Sequence, residues 1–286
     1  MKRVPITVLT AFVFSCVLQA QGLIRYGFAC EDVVAYNPAA ESRGVLIGRS
    51  GNSLAVFSNY RFCSGDCFAE SLMDSEIFFN SVTDKGTISF GLSYDGYSFF
   101  DNHTFFGRVS RSASLKNGGE ISFGSGLSIV EDEIHLDQLV FPRGTGTVSR
   151  LRPDIDLGCE YRKDGWRLGA AVKNLLSLKA RVDGYGFVQY PRSVLLNASK
   201  DCLIGSGWTI TPFFFGGYIQ GLSGDFGARL SKNDSFFVTY AFRTMDLCNI
   251  ISAGAAFSDF ISAGLSLDCS TEHSSSTLGA LISFRF

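Results

Sequence analysis

Apolar and polar residues alternate with period two along much of this chain, most cleanly at its end. In Thr277 to Phe286, Leu278, Ala280, Ile282, Phe284 and Phe286 share one face of a strand, and Thr277, Gly279, Leu281, Ser283 and Arg285 share the other. Successive strand side chains point to opposite faces, so one face is apolar and aromatic and the other mostly small or polar. The same alternation sets Ile88, Phe90, Leu92 and Tyr94 against Thr87, Ser89, Gly91 and Ser93. It also sets Ile155, Leu157, Cys159 and Tyr161 against Asp154, Asp156, Gly158 and Glu160, and Ile261, Ala263, Leu265 and Leu267 against Ser262, Gly264, Ser266 and Asp268.

The pattern predicts fourteen strands, near residues 53–62, 75–82, 87–94, 103–111, 119–130, 153–161, 166–175, 193–201, 208–218, 224–230, 235–242, 249–257, 260–268 and 277–286. Segments 208–218 and 249–257 are less clean, with apolar residues on both faces. The connections alternate in length. Thr83-Asp84-Lys85-Gly86, Arg162-Lys163-Asp164-Gly165, Ser231-Lys232-Asn233-Asp234 and Ser258-Asp259 are short, polar hairpin turns. The opposite set, 63–74, 95–102, 131–152, 176–192 and 269–276, is mostly longer. Short turns on one side and long loops on the other are the asymmetry of a transmembrane antiparallel β-barrel. A soluble sandwich, whose polar face would be its surface, has no reason to keep that order. Ile282, Phe284 and Phe286 are expected to belong to the strand that closes the barrel onto its first strand.

Composition agrees with a barrel. The chain carries 27 Phe, 10 Tyr and 31 Gly but only 6 Pro, and after residue 20 no apolar run approaches the roughly 20 residues of a membrane helix. Lys2 and Arg3 precede an apolar run from Val4 to Leu18 that ends at Gln19-Ala20-Gln21. This reads as a secretory signal over residues 1–20, cleaved near Ala20. Residues 21–52 then form an N-terminal segment, with a turn at Asn37-Pro38, and 53–286 the outer-membrane barrel. The net charge of −2 excludes nucleic acid as a partner, since phosphate binding leaves a basic footprint.

Candidate chemistry is sparse. Of eight cysteines, seven follow the signal, an odd and scattered set that makes no disulfide framework. Cys63 and Cys67 flank Ser-Gly-Asp, and His103, His135 and His273 are isolated in sequence. No metal site and no cofactor are expected from that spacing. No nucleophile elbow, zinc-protease or phosphate-loop motif is present. Glu131, Asp132, Glu133 and Asp137 gather near His135 in the longest expected loop, where a charged, solvated loop explains them as well as general acid–base work does. That loop also holds Leu139, Val140 and Phe141. Apolar residues in an external loop need cover, either as a plug in the lumen or against a partner.

Asn37-Pro38-Ala39, Ile88 to Ser93, Pro153 to Tyr161, Trp166 to Leu176 ending in Lys173-Asn174-Leu175-Leu176, and Tyr190-Pro191-Arg192-Ser193 stand in this order along the chain. Together these stretches resemble the PorP/SprF family of type IX secretion-associated outer-membrane proteins of Bacteroidota. The resemblance implies a non-enzymatic barrel in outer-membrane lipid. Its partners would be other type IX secretion components, or a large secreted adhesin whose export or surface attachment, linked to secretion or gliding, depends on it. Phe141, Arg143, Tyr185, Phe187 and Tyr190, on the two longest loops, are the candidate partner-binding anchors, because such interfaces concentrate their energy in a few aromatic and Arg residues. The competing expectation is a passive channel or hydrophobic-ligand transporter. Inward Gly91, Gly124, Gly126, Gly158 and Gly264 would leave room for it, and inward Arg–Asp pairs would fill it.

Overall fold

Each stretch of period-two alternation forms a strand in the computed structural model. The structure describes residues 38–40, 51–63, 72–97, 100–135, 146–177, 179–182, 186–189, 192–218, 222–233, 235–244, 247–271 and 275–286. Its strands are β1 (Gly51–Cys63), β2 (Leu72–Thr83), β3 (Gly86–Tyr97), β4 (Phe100–Ser114), β5 (Glu120–His135), β6 (Thr147–Lys163), β7 (Trp166–Lys173), β8 (Lys179–Val182), β9 (Gly186–Gln189), β10 (Ser193–Lys200), β11 (Cys202–Leu203), β12 (Trp208–Tyr218), β13 (Leu222–Lys232), β14 (Phe236–Arg243), β15 (Cys248–Ala256), β16 (Ile261–Ser270) and β17 (Ser275–Arg285).

Fourteen of these close an antiparallel barrel in which chain neighbours pair, the last strand pairs with the first, and β10 pairs with both β7 and β12. β11 keeps the register of β10 across Asp201, with Ser199 opposite Phe213 and Cys202 opposite Ile210. β8 and β9 form a separate hairpin between β7 and β10. Closure leaves no unpaired edge around the girth of the barrel, which is what a strand structure in lipid requires.

The outward face is the apolar one. Phe90, Phe105, Phe123, Leu127, Ile251 and Leu265 are each at least half exposed, a surface that only hydrocarbon satisfies. Aromatic residues gather at both ends of this band. Tyr60, Tyr218 and Tyr240 lie toward one rim, and Trp166, Phe236, Phe257, Phe260 and Phe286 toward the other. Such girdles mark the two membrane interfaces. The start of β1, the end of β17 and the tight turns lie at the second rim, the periplasmic side of such barrels. Asp164 and Gly165, both with positive φ (50° and 78°), make the β6–β7 turn there as the right-handed twist of a hairpin demands.

The wall is uneven. β4, β5 and β6 run 15, 16 and 17 residues, whereas β7, β10 and β14 run 8. Seventeen tilted residues rise roughly 43 Å, against an apolar band of about 25 Å, so β4–β6 project beyond the membrane on the loop side. This corrects two expected loops. The 95–102 connection shrinks to residues 98–99, and the 131–152 connection to 136–146. Glu131, Asp132, Glu133 and His135 therefore sit on β5 and not in a loop.

Candidate functional site: the barrel interior and its extracellular mouth

Inward side chains fill the lumen in layers. Ala55 and Phe57 of β1, Phe78 of β2, Phe106 of β4, Leu281 of β17 and Phe237 of β14 pack into one cluster, none more than 5% exposed. The rings lie over glycines. A Cβ on Gly91 would sit 2.6 Å from Phe78 Cβ and 2.8 Å from Phe106 Cζ, and one on Gly254 would sit 2.5 Å from Phe237 Cε1. Arg108 stacks over Phe106 at 4.1 Å and Arg229 over Phe237 at 4.8 Å. A second apolar group joins Ala241, Cys248, Ile250 and Phe213. Phe213 and Ile250 belong to the segments whose alternation is least clean, and the cause is now visible: their inward faces pack against other inward faces.

Charged groups line the rest of the interior. Near the extracellular mouth Arg152 pairs with Asp132 at 2.8 Å and Asp154 at 3.7 Å, and Asn102 donates to Asp132 at 2.8 Å. Across the lumen Arg243 pairs with Asp225 at 3.1 Å and Asp268 at 3.7 Å. Toward the periplasm Arg162 lies 3.0 Å from Glu120 and 3.7 Å from Glu160.

Residues 38–40 lie in the same interior. Ala39 and Ala40 are wholly buried, and a Cβ on Gly124 would collide with the Pro38 carbonyl oxygen. Ser110, Gly158 and Ala171, small residues in adjoining strands, flank Gly124 in the same row of the wall. Of the five glycines expected to leave room for a channel, Gly91 is covered by Phe78 and Phe106, Gly124 by Pro38-Ala39, and Gly126 by Arg108 and Asp156.

At the mouth, β6 gathers the chain that leaves β7. Asp154 Oδ1 accepts hydrogen bonds from the backbone N–H of Ile155 (2.8 Å) and Leu176 (3.1 Å), and Asp156 Oδ1 accepts from Asn174 N–H at 3.1 Å. Leu175 N–H donates to the Ile155 carbonyl at 2.9 Å, and Arg192 Nε to the Leu175 carbonyl at 2.8 Å. Asn174 and Ser177 hold positive φ, 54° and 46°, which turns the chain back along β6. The Pro153 to Tyr161 and Lys173 to Leu176 stretches are thus two halves of one clamp, a coupling their sequence separation conceals. β6 receives residues 136–146 at its start and holds the 174–192 connection, whose β8 strand lies against it. The two connections carrying the candidate anchors therefore meet at one strand.

Phe187 lies in β9, opposite Arg181 of β8. Phe141, Arg143, Tyr185 and Tyr190 lie outside the described residues. Ile282, Phe284 and Phe286 are on the outward face of the end of the chain. Ile282 stands opposite Val56 and Ala263, Phe284 opposite Leu54 and Ile261, and Phe286 N–H donates to the Asn52 carbonyl at 3.1 Å. Among the described cysteines Cys202 and Cys269 are free thiols.

A closed fourteen-stranded wall with an apolar outer band and a polar, side-chain-filled interior defines an outer-membrane β-barrel. The chain belongs to the family of type IX secretion system membrane proteins PorP/SprF, whose sequence profile matches residues 73–281. Solved structures of similar fold are also outer-membrane barrels or transporters. Omp33 of Acinetobacter baumannii is 8% identical, with a TM-score of 0.54 over 85% of this chain and 100% of that one. The toluene transporter TbuX of Ralstonia pickettii is 12% identical, with a TM-score of 0.53 over 91% and 94%. The toluene transporter TodX of Pseudomonas putida is 11% identical, with a TM-score of 0.50 over 91% and 94%. At these identities the likeness shows the fold alone. No curated protein matches the chain by sequence.

Proposed function

We propose that this barrel is a non-enzymatic element of the type IX secretion machinery that holds a partner at its extracellular mouth. The partner is a large adhesin-type client undergoing export or surface attachment, in secretion or gliding, or a neighbouring component of the apparatus. The leader is removed near Ala20, and the anchors are Phe141, Arg143, Tyr185, Phe187 and Tyr190.

The observation that supports this reading most is the filled interior. Phe57, Phe78, Phe106, Phe237 and Leu281 pack into one cluster, and Pro38-Ala39 seats on Gly124. A barrel built this way uses its lumen for rigidity. The Asp154–Asp156 clamp directs its longest described connection to the mouth, where a client is met. Transport of a small apolar molecule, the activity named for TbuX and TodX, needs a path that this packing occupies.

The test is purification of the tagged protein from its native outer membrane in mild detergent, with co-purifying proteins identified by mass spectrometry. Recovery of type IX components or of one large surface protein in stoichiometric amount is expected, and Phe141→Ala with Arg143→Ala reduces it. A partnerless barrel contradicts the proposal.

A further inference from the structure

The projecting part of β4 and β5 carries a polar cluster on its outward face. Asp101 of β4 stands directly opposite Glu133 of β5, and His135 lies two residues along on the same face. One ligand atom from each of the three falls within 4.8 Å of the others. On the next rung of this face His103 stands opposite Glu131. Two of the chain's three histidines therefore share a small patch with three carboxylates, above an otherwise apolar belt.

The geometry points to a site for one divalent transition-metal ion of the Zn2+ or Mn2+ type, held by Asp101, Glu133 and His135. Four features carry it. First, two carboxylates directly opposite across a ladder repel each other, and a cation between them reverses that energy. Second, each of two ligands is oriented from behind. Tyr94 O–H donates to Asp101 Oδ1 at 2.9 Å, and Thr147 Oγ1 lies 3.1 Å from His135 Nδ1. Metal ligands are characteristically steered by such second partners. His135 Nε2 and Asp101 Oδ2 are hydrogen-bonded at 2.8 Å; with Thr147 accepting from Nδ1–H, loss of that shared proton frees the Nε2 lone pair for a cation. Third, the ligands stand on paired strands, which fix their spacing better than a loop does. Fourth, an imidazole with two carboxylates suits Zn2+ or Mn2+ better than Ca2+, which takes oxygen alone. His135 and Asp101 are about a quarter and a fifth exposed, which leaves an open coordination position toward water. Binding releases any proton held between His135 and Asp101 to solvent. The bound ion staples β4 to β5 beside the 136–146 connection.

The test uses the full-length barrel, purified in detergent with a Strep-type tag (a polyhistidine tag would itself bind metal) and stripped with chelator. Zn2+ alone is titrated calorimetrically. One ion per chain is expected, with a rise in the temperature at which the barrel loses its heat-modifiable mobility on gels. His135→Asn and Asp101→Asn, checked for folding by that same mobility, should weaken binding at least 100-fold and abolish the thermal shift. Thr147→Val should weaken it about tenfold, the usual scale for an orienting partner. Absence of stoichiometric binding, or binding unchanged in folded His135→Asn, overturns the site. Ca2+ bound as tightly as Zn2+ overturns the part assigned to His135.

Discussion

Arg243 shows what single residues do in this interior. It faces Asp225 and Asp268 with all three side chains at most 7% exposed. Truncating it takes a cation away from two buried carboxylates, a loss of about 3–5 kcal/mol. Arg243→Met should lower the urea midpoint of the detergent-solubilised barrel, and adding Asp225→Leu should recover part of the loss. The clamp predicts differently. Asp154→Ala removes the acceptor of the Leu176 and Ile155 N–H groups, at about 1–3 kcal/mol, yet the barrel strands pair as before. Limited proteolysis should then cut within residues 174–192 several times faster, while the rest of the chain stays resistant. The alternation along β6 puts Asp154 and Asp156 on the inward face from sequence alone. Their partners are hidden there, because backbone N–H groups carry no sequence signature.

Element boundaries follow the same logic. Strands are legible in sequence wherever lipid faces one side, since hydrocarbon enforces the period. Where β5 and β6 rise clear of the membrane both faces are polar. Residues 131–135 and 147–152 then read as loop although their ladder runs unbroken, with Glu133 opposite Ser149 and Asp132 opposite Arg150. The β8–β9 hairpin is hard to see in sequence because its strands run only four residues each. Two predictions belong at this scale. In β5, Gly124→Val places side-chain carbon against the Pro38 backbone, which cannot give way as a flexible side chain can. An Ala39→Cys thiol, buried in the parent, should react with maleimide only when Gly124→Val is added. In β17, which pairs with both β1 and β16, removing residues 284–286 strips the last rungs from two ladders. The fraction of heat-modifiable barrel in the outer membrane should fall severalfold.

Over the whole molecule, strand number, closure and orientation follow from alternation and connection lengths, and the family from a few short stretches. What the lumen holds does not follow from them. Inward glycines read in sequence as free space, whereas the fold lays rings over Gly91 and Gly254 and a turn over Gly124. The rings stand on the same rung of neighbouring strands, Phe78 and Phe106 on either side of Gly91 and Phe237 opposite Gly254, and closure then joins Phe237 of β14 to the cluster of β1, β2 and β4. The signal available in sequence is indirect: the poor alternation of 208–218 and 249–257 marks inward faces that pack.

The filled interior is the central claim, and planar-bilayer recording of the purified barrel tests it most directly. The parent protein should show no steady conductance. Phe57→Ser combined with Phe78→Ser and Phe106→Ser, with residues 21–50 deleted, should open discrete steps. Steady, ohmic steps from the parent protein would mean that the lumen is open, and a passive channel would then replace the partner-holding scaffold as the function of this barrel.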